Sequence, residues 1–381
     1  MKRLLSIAVG LLVVFADALA VREGLRREAP PPELDLTELL GEGGEGCARA
    51  DGDWPRACPR DHGAHPAFRS ELWAVKGHLE DDTGRYFGIQ LVLLRLALQP
   101  GEPRRDSAWA TNQVYAAQLA LTDPAGEGFT SAERLSRGAL GLAGAATGPV
   151  RVWVEDWWLA AGPDGRLRLE AGTGGARLAL ELAPVKPALD ETGIDLAGAG
   201  EGAGGGFHFY LMPRLAIAGT LELEGEGRVV EGFGWLERAW GAVPVARGQV
   251  ALDRFALQLD DGRDLLCLQL RRVDASGIPV PSCLLSDAAG AATAFRRREL
   301  ALEPGGFWRS PTDGTRYPLD WRLSLPSVGL DLSLRAVVED QELPGPLRAW
   351  RGAVTVQGSE AGQRVTGRGF VETAGYPKPG D

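Results

Sequence analysis

What the chain lacks narrows it first. Its 41 Lys and Arg are interspersed among 51 Asp and Glu, for a net charge of −10. No basic run supplies a phosphate-binding face, so nucleic acid is not an expected partner. There is no G-x-S-x-G elbow, no H-E-x-x-H and no Walker loop, which removes the common hydrolase, metalloprotease and nucleotide-binding signatures. The stretches "GEGGEG" (41–46) and "GEGAGG" (200–205) fit G-x-G-x-x-G by spacing alone. Neither follows a strand nor opens a helix, so both read as loop glycine. No long stretch keeps helical periodicity. Disorder is not the default either, because 44% of residues are hydrophobic and 24% charged.

Long apolar runs are missing apart from Leu4 to Phe15, which follows Lys2-Arg3 and precedes Ala18-Leu19-Ala20. That run is shorter than the roughly 20 residues a spanning helix needs. The small-x-small end is the pattern read by signal peptidase. Residues 1–20 are therefore expected to be a signal peptide, and the mature chain to be exported, periplasmic or secreted, from Val21. No cysteine follows closely enough for lipoprotein processing. Cysteine is scarce, with four in all, and export permits disulfides. Cys267 and Cys283 are placed symmetrically about a turn near Ala275, and Cys47 and Cys58 lie close in a Gly/Pro-rich stretch. The expected bonds are Cys267–Cys283 and Cys47–Cys58, among the three pairings that four cysteines allow. "CPRDHGAH" gathers Cys58, His62 and His65. A zinc site would need a fourth ligand and a rigid second shell there, so neither a metal nor a cofactor is expected, and the histidines read as solvated.

What is present is a procession of strands. Residues 21–65 read as a Pro/Gly/acid-rich tether with one short helix at Leu34–Leu40. After it come "LWAVKGHLE", "RYFGIQLVLLRLAL", "NQVYAAQLALTD", "VRVWVEDWWLAA", "RLRLEAG" and "ARLALELAP", separated by Asp-Gly and Gly-rich turns. About eighteen such strands exceed the roughly eight that fill one small barrel. The fold class is all-β, with two tandem antiparallel barrels at 66–240 and 241–381 and a break near Gly241–Gly248. "AIAGTLELEGEGRVVEGFGW" and "VTVQGSEAGQRVTGRGFVE" look alike as hairpins, as two similar halves would require.

"EGFGWLERAWG" (231–241) carries the chemistry. On a strand, Phe233, Trp235 and Glu237 share one face and Arg238 and Trp240 the other. A glutamate aligned with aromatics is either a proton donor in an apolar wall or a structural ion pair. "VWVEDWWLA" places Trp153, Glu155 and Trp157 on one face if it is a single strand. Trp153 and Trp157 are then ligand-wall candidates, with barrel packing as the plainer reading. Gln90 and Asn112 sit in strand contexts where an inward polar group orients a ligand and an outward one faces water. His78 and His208 read as satisfied structural histidines.

"HPAFRSELWAVKGHL", "RLAIAGTLELEGEGRVVEGFGWLERAWG", "ALDRFALQLDDGRDLL", "YPLDWRLSLP" and "DQELPGPLRAWRGAVTV" followed by "VTGRGFVETAGY" resemble, in order, the motifs of the carotenoid 1,2-hydratase/AttH-like family. That is a family of exported lipocalin-like proteins, several described as secreted hydrolases. The resemblance covers roughly residues 60 to 376. It implies two lipocalin-like barrels and a pocket for an apolar small molecule or lipid. Some relatives hydrate carotenoid double bonds or cyclise polyenes. Others are encoded beside transporter permeases, which implies a role accessory to an ABC-type transporter permease. The site residues that the matching motifs imply include Trp73, Gln118, Trp235, Trp240, Arg254, Phe255 and Trp350.

The chain also departs from the family. The aromatic run at 71–75 is Glu-Leu-Trp-Ala-Val, a family histidine is Gln118, the acid pair is Glu237 with Ala239, and arginines stand at 254 and 351. Hydrating an alkene needs a protonated carboxylic acid in an apolar wall and aromatic faces to steady the cation. Glu237 beside Trp235, or Glu71 beside Trp73, fits the acid, and Asp253 fits a water-positioning role. Against that, a Glu237 paired to Arg254 or Arg351 would be a poor proton donor. The main expectation is a protein that binds an apolar or amphipathic molecule near the interface of its two domains. A hydratase or cyclase acting on a polyene is the alternative.

Overall fold

The computed structural model describes residues 46–50, 54–101, 103, 106–190, 207–241, 250–272, 279–344 and 348–377. The expected signal peptide, the Leu34–Leu40 helix, residues 200–205 and residues 242–248 of the expected break lie outside the described residues. Among the described residues there is no α-helix, only strands and single 3-10 turns. The expected all-β architecture of two antiparallel sheets is what the chain builds, the first a nearly closed barrel and the second a half-barrel.

The first sheet contains β1 (Ser70–Asp81), β2 (Tyr86–Ala97), β3 (Gln113–Asp123), β4 (Gly128–Arg137), β5 (Ala143–Thr147) and β6 (Val150–Val154). It continues with β7 (Trp157–Ala161), β8 (Leu167–Gly172), β9 (Ala176–Pro184), β10 (Leu189–Asp190), β11 (Phe207–Leu223) and β12 (Glu226–Gly241). Its order is β4-β3-β2-β1-β12-β11-β9-β8-β7-β6-β5, with β10 beside β11. The two ends curl toward each other: Arg134 and Ser136 on β4 reach Glu155 at the end of β6, at 3.0 and 3.1 Å. This is a nearly closed barrel.

The second sheet contains β13 (Val250–Leu259), β14 (Asp264–Arg272), β15 (Val280–Ser286), β16 (Ala292–Arg296) and β17 (Ala301–Pro304). A small hairpin of its own, β18 (Phe307–Arg309) and β19 (Arg316–Pro318), follows. Then come β20 (Asp320–Leu325), β21 (Leu330–Ala336), β22 (Glu342–Leu343), β23 (Ala349–Glu360) and β24 (Gln363–Ala374). The order β16-β15-β14-β13-β24-β23-β21-β20-β17 makes a half-barrel.

The two look-alike hairpins are β11–β12 and β23–β24, and they hold equivalent places. In each sheet the return strand pairs with the sheet's first strand, β12 with β1 and β24 with β13. Both return strands carry glycines where they press on that neighbour. A Cβ at Gly232 would lie 1.9 Å from His78 O, and one at Gly367 would lie 2.4 Å from Gln258 O. The glycines that the two look-alike hairpins share thus have a physical cause: close strand contact that a larger residue would not permit.

Alternation along the strands makes three apolar layers. Trp73, Val75 and Leu79 with Leu236 and Trp240 fill the first barrel. Phe255, Leu257 and Trp350 fill the second. Phe209, Trp235 and Ala239 meet Ala256, Leu266 and Phe370 in a third layer between the sheets. The end of the first barrel is plugged by residues 54–68. Asp61, His62 and His65 are buried there, and Trp54 packs its ring on His65, Phe68, His208 and Trp240.

Four expectations need correction. Residues 54–65 are a packed plug and not part of a tether, because aromatic and ionic contacts hold them down, and His62 and His65 are buried in it rather than solvated. Cys47 and Cys58 are free thiols. Cys47 sits within electrostatic reach of Arg69, whereas Cys58 faces Arg56, Asp61 and Asp190. Cys267 and Cys283, directly opposite in register, are disulfide-bonded. "VWVEDWWLA" is not one strand: Glu155 and Asp156 form a two-residue turn with Glu155 at φ 59°. The turn puts Trp153 on the outer face and Trp157 in the core. Asn112 precedes β3 and donates to Gly101 O at 3.0 Å, so it serves a loop.

Candidate functional site

The three candidate acids do not share a site. Glu71 faces the first barrel's interior, Glu237 the layer between the barrels and Asp253 the interior of the second. Each is fully buried, and each is met by arginine.

Glu71 lies where β1 enters the barrel beneath the plug. Arg95 Nε on β2 donates to its Oε1 at 2.7 Å, and Arg238 on β12 bonds its Oε2. The backbone N–H of His65 adds a bond of 2.8 Å. Burial opposes ionisation of Glu71, but Arg238, His65 and Arg95 outweigh it and hold its pKa down at about 2. Arg238 also donates to Leu72 O and Ala239 O at 3.2 and 2.8 Å, and its guanidinium lies 3.9 Å over the Trp73 ring. Trp73 donates its own N–H to His62 O at 2.7 Å. Trp240 stacks parallel to His65 at 4.0 Å. Here the aromatics pin the plug and its ion cluster, and they do not wall a void. His62, bonded to Tyr210, stays neutral: burial and then Arg238 push its pKa down to about 4.

Glu237 is held from both barrels. Arg254 Nη2 is 2.6 Å from its Oε2, Lys76 Nζ is 3.5 Å from its Oε1, and Trp235 Nε1 donates at 3.3 Å. Of the two arginines the sequence offered, the partner is therefore Arg254. Arg351 instead pairs with Glu372 at 2.9 Å and donates to Gln118 at 2.8 Å. Gln90 donates to Arg351 O at 3.0 Å. Burial lowers the pKa of Lys76, with Glu237 opposing. Glu372 is resisted by burial but drawn down to about 2 by Arg351, Lys76 and Arg254. Three cations thus share two carboxylates between the barrels. Further along the same layer, Lys186 reaches Asp264 at 2.6 Å and Asp287 O at 2.6 Å. Arg214 joins Asp264 at 2.9 Å.

Asp253 accepts both arms of Arg271, at 2.7 and 3.1 Å, together with Gln269 at 3.3 Å and Tyr376 OH at 3.0 Å. Burial raises its pKa despite Arg271. Phe255 meets Trp321 edge-on at 4.8 Å, and Trp350 donates to Glu339 O at 2.8 Å. Both belong to the second core.

Sequence reasoning missed Lys76, Arg95, Arg238, Arg271 and Glu372 as partners. The signal was a lone cation inside an apolar run, as in "LWAVKGHLE" and "LVLLRLAL". Such a charge is rarely buried unless paired.

Space for a ligand is found in a different place. The gap beside Trp235, Leu211, Ala256 and Leu284 measures about 10 Å³, room for about one water. A cleft of about 550 Å³ opens at the first barrel's unplugged mouth, lined by Arg134, Trp157, Gly174, Arg177, Glu222 and Glu224. Arg134 lies 4.5 Å over the Trp157 ring at its wall. Trp157 is the ligand-wall candidate that lines this cleft.

Two tandem barrels, the first plugged at one end and open at the other, define a lipocalin-like protein of two domains. The family model described as AttH-like matches residues 49–376, and the chain belongs to that family. No curated protein matches the chain. Among solved structures, it is similar to a Nitrosomonas europaea protein provisionally described as an AttH. That protein is 29% identical with a TM-score of 0.75, the match covering 87% of this chain and 100% of the other. Kievitone hydratase from Nectria haematococca is 17% identical with a TM-score of 0.61, covering 88% and 98%. CghA, solved with Sch210972, is 16% identical with a TM-score of 0.53, covering 90% and 99%. At those identities the last two show the fold alone.

Proposed function

We propose that this protein is an exported lipocalin-like carrier that takes an apolar or amphipathic small molecule at the open mouth of its first barrel. It does not hydrate an alkene by carboxylic-acid protonation. One observation carries the reading: Glu71, Glu237 and Asp253 are each buried against an arginine at 2.6–2.7 Å. Alkene protonation needs a carboxylic acid in an apolar wall, and none of the three faces one: each is enclosed by a cation and further hydrogen-bond donors. The mouth cleft of about 550 Å³ lies within the size range of ligand sites, which barrels place at their mouths. Native mass spectrometry of the protein purified from its own host tests this. A co-purifying small molecule, lost when Gly174→Trp fills the mouth, is the expected result. A ligand-free protein from every growth condition would refute it.

A second reading rests on Asp253, the one candidate acid whose pKa burial raises. In a hydratase acting on a polyene it would be the proton donor to a substrate entering the second barrel, away from the mouth cleft, and Asp253→Asn would abolish turnover.

A further inference from the structure

The hairpin β18–β19 stands apart from both main sheets. Its inner side is fixed by Tyr317, which is buried and lies 5.7 Å from Tyr376 and 6.3 Å from Trp308. Its outer side is unusual. Arg309 and Arg316 are directly opposite each other in register, both are exposed, and neither pairs with a carboxylate among the described residues. Like charges placed directly across strands repel, so a chain that can counter them normally does. It does so nearby: Asp313, in the connecting turn, is held by Arg348, and Arg322 on β20 is bonded by Asp331. Phe307, two residues from Arg309 and so on the same side, is 48% exposed. Arg316 lies 4.8 Å over its ring. Three more exposed arginines lie in a row before β17, Arg296 at the end of β16 and Arg297 and Arg298 on the 3-10 turn that follows it. They too have no carboxylate pairing among the described residues.

We propose that this hairpin is a docking surface for an anionic phospholipid bilayer, with Arg309 and Arg316 on lipid phosphates and Phe307 in the headgroup layer. Charge complementarity selects the occupant. The molecule as a whole carries −10, so it is repelled by such a surface except where unpaired cations cluster. Guanidiniums match phosphate oxygens bidentately, and an aromatic ring beside them suits the boundary between headgroup and acyl chain. A free anion would have no use for the exposed ring. The sequence hides this feature, because six residues separate the two arginines and only the hairpin register joins them.

The test compares wild type starting at Val21 with Arg309→Gln, Arg316→Gln and the double variant in the same chain, by co-sedimentation with vesicles. Each arginine near an anionic surface is worth about fivefold in partitioning. Wild type should favour phosphatidylcholine vesicles containing phosphatidylglycerol over phosphatidylcholine alone. Each single variant should lose about fivefold, and the double variant about 25-fold if the two act independently. Phe307→Ser should weaken partitioning further at unchanged melting temperature. Equal partitioning of wild type and the double variant would overturn the proposal. So would release of wild type from the vesicles by inorganic phosphate where sodium chloride at equal ionic strength leaves it bound, which would assign the pair to a free ion.

Discussion

Replacing Glu237 by glutamine removes a charge while keeping shape. In the native layer Lys76, Arg254 and Arg351 face Glu237 and Glu372. After Glu237→Gln, three cations face one carboxylate. Breaking a buried pair by removing one partner costs about 3–5 kcal/mol. The lower end applies here, because Arg254 keeps 13% of its side chain exposed and can relax toward water. A loss of about 3 kcal/mol lowers the melting temperature by about 4 °C in a chain of this size. Adding Arg254→Met removes the surplus cation, so the double variant should recover at least about 1 kcal/mol of that loss. Urea denaturation of the four proteins in the cycle measures both quantities. The pairing is wrong if Glu237→Gln leaves the midpoint unmoved, or if the cycle shows no coupling.

Acid should destabilise the protein well above the carboxylate range. His62 and His78 are buried, and burial, then Arg238 for His62 and Arg368 for His78, lowers their pKa values from 6.5 to about 4 and about 3. Depressed folded values mean no penalty above pH 6.5, then a loss growing by about 1.4 kcal/mol per group per pH unit as the unfolded chain takes up protons. At pH 5 the pair costs about 4 kcal/mol, and His78→Gln should halve the slope of the urea midpoint against pH. Glu71 adds a separate limb, with its stabilisation present above pH 4.5 and lost as pH falls toward 2. Thiol labelling of unreduced, denatured protein should modify Cys47 and Cys58 and spare Cys267 and Cys283; labelling of all four would contradict the bond. Cys267→Ala with Cys283→Ala should cost about 3 kcal/mol, since the disulfide closes a loop of 16 residues.

The fold was legible because alternation and turn chemistry are local. Trp235 and Glu237 on one face and Arg238 and Trp240 on the other follow from the period of a strand, and the β12 register keeps them so. Cys267 and Cys283 were legible for the same reason. Partnerships between strands distant in sequence were not. Glu71 and Arg238 are separated by 167 positions, and only the closing of β12 onto β1 brings them together. Glu155 defeated the pattern because a residue at positive φ turned one apparent strand into two. The plug at 54–68 was hidden by its Pro- and Gly-rich composition, which describes loops equally well whether packed or free.

On this reading none of the three buried acids gives up a proton to the bound molecule. The most direct measurement incubates the purified protein with its co-purified small molecule in water enriched in oxygen-18, then determines the mass of that molecule after extraction. Recovery at unchanged mass is expected. Uptake of labelled water by wild type, lost in Asp253→Asn or Glu71→Gln, would contradict it and make the protein a hydratase.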